Sequence, residues 1–108
     1  SVSKDFGNYN IYYDFNKADI KESFELELQK RVFELEGQSV VFVLQAFSDE
    51  KGTSLANKLV RARRLQKAEE LLKGWGIPKD RIEVKPWDGS HTGNDVIDRR
   101  IEISVRVL

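Results

Sequence analysis

The chain has 108 residues, of which 40% are hydrophobic and 33% charged, a composition typical of one soluble globular domain over residues 1–108 rather than a disordered or fibrous protein. Its 18 basic and 18 acidic side chains cancel, which gives no general attraction to nucleic acid or an anionic membrane, and the absence of cysteine excludes disulfides and thiol chemistry. No apolar run reaches the roughly 18 residues of a membrane span, and residues 1–4 do not resemble a signal peptide; a leader or anchor removed from the chain is left open.

The first half of the chain predicts a strand, a helix and a second strand. Apolar and polar residues alternate over residues 9–15, which is typical of a half-buried strand. The side chains expected to face inward are Tyr9, Ile11, Tyr13 and Phe15. From Asp19 the apolar residues recur every three or four positions, which predicts an amphipathic helix that ends near Gly37. The unbroken apolar run of residues 40–44 predicts a central strand.

A long helix is predicted after the central strand. Thr53 or Ser54 can cap its start, and Gly74 and Gly76 mark its end. Its apolar stripe is expected to consist of Leu55, Leu59, Ala62, Leu65, Leu72 and Trp75. These leucines are expected to pack the helix against the sheet.

Two short strands are predicted after this helix. Ile82 and Val84 alternate with charged residues, and residues 88–94 have the composition of a loop. The final strand is expected to direct four side chains inward: Ile101, Ile103, Val105 and Val107. The element order is therefore β-α-β-α-β-β.

This order predicts an α+β fold, a two-layer α/β sandwich in which a mixed four-stranded sheet carries two helices on one face. Helical crossovers make the first three strands parallel to one another. The last strand follows a short loop and is expected to run antiparallel. Because the outward positions of the first and last strands are polar, only one face of the sheet is expected to be covered by helices.

Residue types that support catalysis or metal binding are sparse. His91 is the only histidine, so a zinc site or a Ser-His-Asp triad lacks partners at a suitable spacing. The glycines are scattered and form no phosphate-binding loop. We therefore expect no enzyme, no metal site and no cofactor, and we interpret His91 as a solvated loop residue.

One group of polar residues is predicted to meet at the end of the central strand. Asp49 follows that strand, while Asn57, Arg61 and Arg64 lie at i, i+4 and i+7 of the second helix and share one face. An antiparallel final strand starts at the same end. Arg99 alternates in step with Ile101 and Ile103, so its side chain is expected to point to the helix side of the sheet. Such a groove suits a small zwitterion, with its ammonium on Asp49 and its carboxylate on Arg64. The alternative left open is an internal Asp49–Arg64 salt bridge that only ties strand to helix.

Five short motifs follow one another along the chain. They are YDFNKADI at residues 13–20, AFSD at 46–49, NKLVRARRL at 57–65, GI at 76–77 and DRRIEI at 98–103. Their content, order and gaps resemble the OmpA-like peptidoglycan-binding domain. This family includes the periplasmic domains of OmpA porins, peptidoglycan-associated lipoproteins and flagellar stator proteins.

The resemblance implies the OmpA-like fold and non-enzymatic binding of diaminopimelate in the peptidoglycan stem peptide. In the family, the strand-end aspartate and the helix-motif arginine clasp the amino-carboxylate end of diaminopimelate, and these positions are Asp49 and Arg64 here. The helix-motif asparagine, Asn57, helps to shape the site, and Arg99 is expected to support it. The residues assigned to ligand binding are Asp49, Asn57, Arg64, Arg61, Arg99, Phe47 and Ser48.

The chain departs from the family motifs at several positions. Ala46, Arg61 and Asp98 stand where the motifs have glycine, serine and asparagine, and residues 95–97 replace the usual Gly-Arg-Ala. An Arg61 that faces the groove could fill it or pair with Asp49. These departures support an alternative, a domain that has lost peptidoglycan binding and serves as a protein-interaction or assembly module. This alternative predicts an ion pair between Asp49 and Arg61 or Arg64 that closes the groove.

The resemblance also implies a location and partners. It implies a periplasmic domain, associated with the outer membrane or cell envelope of a Gram-negative-type bacterium, that anchors its parent protein to the cell wall. The partner is peptidoglycan with diaminopimelate-containing stem peptides, membrane contact comes only through a part of the parent protein outside this chain, and a homodimer is left open. Nucleic-acid binding would involve Lys58, Arg61, Arg63, Arg64 and Lys67. The net charge of the chain is zero, and no aromatic residues lie between these basic residues. Nucleic acid is therefore not an expected partner.

Overall fold

The computed structural model describes residues 7–108, so the expectation about residues 1–4 lies outside the described part of the chain. The strands are β1 (Tyr9–Tyr12), β2 (Val40–Ala46), β3 (Ile82–Lys85) and β4 (Arg100–Val107). The helices are α1 (Glu22–Phe33), α2 (Ser54–Gly74) and the short α3 (Asp95–Asp98), and a 3-10 turn (Lys79–Arg81) precedes β3. Over residues 7–108, none of the helices combines the length and the apolar character that a membrane span requires.

The four strands form one mixed sheet in the order β1-β4-β2-β3. β4 runs antiparallel to both β1 and β2, whereas β3 runs parallel to β2. Because β4 lies between β1 and β2, the first three strands point in one direction although β1 pairs with neither β2 nor β3. The predicted α+β class, the mixed four-stranded sheet and the antiparallel last strand are confirmed.

The core lies between one face of the sheet and the two long helices. α1 contributes Leu28 and Val32, and α2 contributes Ala68 and Leu72, all of them buried. The strands supply the other side of this core: Ile11, Val40, Phe42, Leu44, Ala46, Ile101 and Ile103. This packing fixes α2 across the sheet and directs its first half toward the end of β2.

Charged side chains, rather than helices, cover the other face of the sheet. Arg106 on β4 and Glu83 on β3 form an ion pair at 3.6 Å that crosses β2. In the strand register Arg106 lies beside Val41 and Glu83 beside Val43, and both valines are buried. The prediction that helices cover one face only is therefore confirmed.

β1 ends earlier than the alternation of residues 9–15 predicts. Tyr13 is still buried, but Phe15 is 53% exposed, so its predicted inward position was wrong. Asn16 has a positive φ of 55°, and the N–H of Lys17 donates to the carbonyl of Asp14 at 3.1 Å. The chain therefore turns directly after Tyr13, and a period of two residues carries no information about that turn.

The buried face of α2 differs from the predicted leucine stripe. Leu55 and Leu59 are 66% and 50% exposed, and Ala62 is exposed as well. The buried residues of α2 are Val60, Arg64, Ala68 and Leu72. At about 100° per residue, positions 55, 59 and 62 lie on the side of the helix opposite Arg64. The stripe prediction was wrong in its first half because α2 directs polar residues, not leucines, at the end of β2.

One inward prediction at the sheet margin was also wrong, because Val107 is exposed. Val84, which alternates with charged residues in the sequence, is exposed as well. Val84 belongs to β3, which is an edge strand, and Val107 is the last residue of β4. Alternation identifies the face to which a side chain points, but the depth of burial depends on what packs over that face.

The helix ends follow ordinary capping chemistry. Thr53 caps α2 as predicted, its hydroxyl accepting a backbone N–H at 3.0 Å. α1 ends at Phe33, and the chain then turns to Gly37, whose φ of 81° favours glycine. Helix α3 was not predicted, although its cap Asn94, whose side chain accepts a backbone N–H at 3.0 Å, is a helix-start signal in the sequence.

Candidate functional site

The end of β2 and the first half of α2 form the candidate site. Residues 47–49 continue from β2 and are buried, and three side chains of α2 contact them in reverse order. The donor–acceptor pairs are Asn57 Nδ2 with the Asp49 carbonyl (3.3 Å), Arg61 Nη1 with Ser48 Oγ (2.7 Å) and Arg64 Nη1 with the Phe47 carbonyl (3.2 Å). The prediction that these three helix residues share one face is confirmed.

Arg64 is a buried cation that holds three chain segments together. It is 1% exposed, and it donates to the backbone carbonyls of Lys17 (2.9 Å), Asp14 (3.3 Å) and Phe47 (3.2 Å). Its guanidinium carbon also lies 4.7 Å from the ring centre of Tyr13. Burial lowers the pKa of Arg64 to about 10, partly offset by the Tyr13 phenol and by the Asp49 carboxylate. Arg64 therefore stays protonated at neutral pH.

Asp49 is paired with Arg99 across the site. It is 3% exposed; its Oδ1 accepts a backbone N–H at 3.0 Å, and its Oδ2 lies 3.3 Å from Arg99 Nη1. Arg99 Nε donates to the Tyr13 carbonyl at 3.1 Å, which fixes the guanidinium in place. Among residues 7–108, no hydrogen bond or ion pair joins Asp49 to Arg64 or Arg61. The Asp49–Arg64 salt bridge and the groove-closing pair, each expected by an alternative interpretation, are thus absent from this part of the chain.

These groups border a pocket of about 160 Å³. Of the predicted site residues, the pocket is lined by Ser48, Asp49, Asn57, Arg64 and Arg99, whereas Phe47 and Arg61 lie behind or beside this lining. The exposed Phe15 and Lys51 complete its mouth, and Lys51 is ion-paired with Asp95 at 3.4 Å. In the described part of the chain no carboxylate lies within ion-pair distance of Arg64. The pocket therefore has a cation without a directly paired carboxylate in its lining, which favours an anionic ligand group.

Arg61 extends the polar surface beside this pocket. Its guanidinium carbon lies 4.1 Å from the ring centre of Trp87, and burial lowers the pKa of Arg61 below its ordinary value. Because the side chain is held between Trp87 and Ser48, it does not pair with Asp49. The alternative in which Arg61 pairs with Asp49 and closes the groove is therefore not observed among residues 7–108.

His91 is not a freely solvated loop residue, so that interpretation was wrong. Its side chain is 21% exposed and lies edge-to-face on Trp87, with ring centres 5.2 Å apart. His91 Nδ1 and Asp98 Oδ2 are 3.8 Å apart, too far for a hydrogen bond, and neither atom has a hydrogen-bond partner within residues 7–108. That same part of the chain holds no cluster of three or more histidine, aspartate or glutamate side chains suited to a metal ion.

The basic residues of α2 do not form one free cationic face. Arg64 is buried, Arg61 lies on Trp87, and Lys67 is ion-paired with Asp19 at 2.8 Å. The nucleic-acid alternative required these charges to act together on one surface. Their internal contacts remove the surface that this alternative requires.

Replacing Tyr13 by phenylalanine is expected to protect the fold at high pH. The Tyr13 hydroxyl is buried without a hydrogen-bond partner in the described part of the chain, and burial raises the Tyr13 pKa above its ordinary value of 10.0. Above pH 10 the unfolded chain releases this proton while the folded chain retains it, so stability falls as pH rises. At pH 11 the wild type should lose about 1.4 kcal/mol relative to the variant.

The measurement is urea unfolding of both proteins at pH 8 and pH 11. At pH 8 the variant should be at least as stable as the wild type, because it lacks a buried hydroxyl without a hydrogen-bond partner in the described part of the chain, and the alkaline effect is the further difference between the two proteins at pH 11. Arg64, whose lowered pKa has the opposite effect on stability, is present in both proteins, but the variant lacks the Tyr13 phenol that partly offsets this lowering. An equal alkaline loss in the two proteins would contradict the assignment to Tyr13.

No protein-family model matches the chain, and no curated protein matches its sequence. Solved structures do match its fold. The peptidoglycan-associated lipoprotein from Burkholderia pseudomallei superposes with a TM-score of 0.77 at 19% identity, covering 90% of this chain and 89% of that one. The C-terminal domain of Helicobacter pylori MotB gives 0.76 at 12% identity, covering 93% and 85%. The OmpA-like domain of FopA1 from Francisella tularensis subsp. tularensis gives 0.67 at 17% identity, covering 94% and 73%. The fold implied by the five sequence motifs is confirmed: this chain has the fold of OmpA-like domains.

Proposed function

We propose that this chain binds the diaminopimelate-containing stem peptide of peptidoglycan, without catalysing a reaction, and so anchors a cell-envelope protein to the cell wall. The observation that carries the proposal is a single pocket that holds a buried carboxylate, Asp49, beside Arg64, a buried cation without a carboxylate partner in residues 7–108. One fold neighbour is a peptidoglycan-associated lipoprotein and another is the periplasmic domain of MotB, which supports the same role.

The free end of diaminopimelate carries an ammonium and a carboxylate on one carbon, and each has a matching group here. A guanidinium has five N–H groups, and Arg64 uses three of them on backbone carbonyls. One N–H on each terminal nitrogen is left to bind the ligand carboxylate as a fork. Asp49 binds the ammonium while it keeps its ion pair with Arg99, which lines the same pocket.

The remaining assigned residues position this clasp. Asn57 holds the Asp49 carbonyl, and Ser48 forms part of the pocket wall. The N–H of Phe47 already donates to the Arg100 carbonyl at 2.9 Å, so Phe47 acts by positioning Arg64 rather than by touching ligand. Each charge-assisted contact contributes about 1.5–3 kcal/mol, so a modest affinity follows.

The same proposal gives the domain a periplasmic location. It is associated with the outer membrane or cell envelope of a Gram-negative-type bacterium, and any membrane contact comes through another part of the parent protein. A pocket mouth that includes Phe15 and Lys51 leaves room for the peptide to extend away from the clasp.

One observation favours the second candidate, a domain that has lost wall binding and works as a protein-interaction module. Asp49 is already neutralised by Arg99, so the ligand ammonium gains less from this carboxylate than from a free one. In that case purified peptidoglycan would not retain the chain.

The deciding experiment is a pull-down on purified diaminopimelate-type sacculi. The wild type should sediment with the sacculi, and Asp49→Asn should stay in solution, because the amide cannot pair with the ligand ammonium. Asp80→Asn removes the same charge from the exposed 3-10 turn outside the pocket, and it should sediment like the wild type.

Circular dichroism of each variant checks that loss of sedimentation reflects binding rather than unfolding. A folded wild type that stays in solution would refute the proposal and favour the protein-interaction module. Equal sedimentation of Asp49→Asn and wild type would remove Asp49 from the site.

A further inference from the structure

We propose that the site binds a ligand with two carboxylates, one at Arg64 and a second at Arg61. The inference rests on the proposed function and specifies more of the stem peptide than its diaminopimelate end. It concerns Arg61, a guanidinium held in place beside the pocket.

Arg61 is ordered by contacts that leave its charge uncompensated. Its Nη1 donates to Ser48 Oγ at 2.7 Å, and its guanidinium carbon lies over the ring of Trp87 at 4.1 Å. No carboxylate within residues 7–108 lies at ion-pair distance from it. Two other cations of α2 differ in this respect, since Lys67 is paired with Asp19 and Lys73 with Glu69.

Arg61 and Arg64 border the same stretch of backbone. Arg61 binds the hydroxyl of Ser48 and Arg64 binds the carbonyl of Phe47, which are consecutive residues, and Ser48 lines the pocket. The two arginines are three residues apart on α2, about 4.5 Å along the helix axis. Two carboxylates of one ligand could therefore each meet one of these arginines beside the same stretch of backbone.

The geometry of Arg61 suits a second carboxylate. The guanidinium carbon lies over the Trp87 ring, and a guanidinium packed on an aromatic ring can still donate its N–H groups to other partners. Hydrogen bonding to Ser48 uses one of five N–H groups. Because Trp87 and Ser48 already fix the side chain, little further ordering is needed on binding.

A stem peptide supplies such a group in addition to the carboxylate at the free end of diaminopimelate. The α-carboxylate of its D-glutamyl residue and its C-terminal carboxylate are both anionic at neutral pH. Either source has the chemistry that Arg61 requires, and selective amidation distinguishes the two.

The test is calorimetric titration of the full chain with the tripeptide L-Ala-γ-D-Glu-meso-diaminopimelate in three forms. One form is unmodified, one is amidated at the D-glutamyl α-carboxylate, and one is amidated at the C-terminal carboxylate. All three keep the free amino-carboxylate end for Asp49 and Arg64. For the wild type, one of the two amides should bind about tenfold more weakly than the unmodified peptide.

Two variants separate a local contact from general attraction. In Arg61→Gln the three peptides should bind with equal affinity, whereas Arg63→Gln should keep the wild-type preference. Arg63 is an exposed residue of the same helix, so it matches the charge change without the contacts to Trp87 and Ser48.

Each other outcome overturns the inference in a recognisable way. If the wild type binds all three forms equally, the second subsite is refuted and the proposed function stands. If no form binds, both are refuted. If Arg61→Gln and Arg63→Gln lose the preference equally, the effect is general electrostatics and not a site at Arg61.

Discussion

Replacing Arg64 by alanine is expected to lower the free energy of unfolding by about 3 kcal/mol. The substitution leaves the carbonyls of Asp14, Lys17 and Phe47 without their donor. An unsatisfied buried polar group costs about 1–3 kcal/mol, and removal of a buried charge offsets part of that sum. The three carbonyls belong to the turn after β1 and to the end of β2, so the loss should loosen the site as well as the fold.

Urea unfolding measures this effect. Arg63→Ala is the matched control, because it removes an exposed arginine from the neighbouring position of α2 and should change stability by less than about 0.5 kcal/mol. A loss below about 1 kcal/mol for Arg64→Ala would show that water replaces the three donors without difficulty. The expected result also means that Arg64 variants affect folding and binding together, which is why Asp49→Asn is the better binding variant.

A diaminopimelate tripeptide is expected to bind roughly 100-fold more tightly than the corresponding lysine tripeptide. Lysine has the same ammonium but lacks the carboxylate on the terminal carbon. Its binding would leave Arg64 buried in the pocket lining without an anionic partner. A ligand that lacks the carboxylate binds weakly, because the buried protein cation is then desolvated and left without an anionic partner.

Titration calorimetry of both peptides at one salt concentration checks this ratio. A diaminopimelate peptide amidated at its free end is the matched control, since it keeps the ammonium and the chain length but loses the negative charge. It should bind as weakly as the lysine peptide. Equal affinities for the diaminopimelate and lysine tripeptides would exclude Arg64 as the carboxylate site. That conclusion would hold even if the chain sediments with sacculi.

Much of the site follows from local patterns in the sequence. The spacing of Asn57, Arg61 and Arg64 placed them on one helix face, and the structure has all three on residues 47–49. Arg99 alternates in step with Ile101, which predicted that the Arg99 side chain points to the helix side of the sheet. There it contacts Asp49. These predictions succeeded because helix and strand periods are local properties of the backbone.

The sequence could not reveal the partner of each charged group. The predicted alternatives paired Asp49 with Arg64 or Arg61, but its partner is Arg99, fifty positions away. The leucine stripe also misled, since Leu55 and Leu59 are exposed and the charged Arg64 is buried. Apolar spacing ranks the faces of a helix by hydrophobicity, whereas here backbone carbonyls that need a donor favour an arginine on the buried face.

By itself the sequence determined the order of the four strands and the two long helices, the direction of the strands and the edge at which the polar residues meet. It did so because periodicity, capping residues and crossover handedness act over short stretches of chain. Only the tertiary structure decided that Arg64 binds three carbonyls, that Arg61 lies on Trp87, and that Asp98 is beside His91. The Arg64 and Arg61 contacts join segments far apart in sequence, and those of Arg64 with Asp14 and Lys17 involve the turn at Asn16, where a positive φ changes the chain direction.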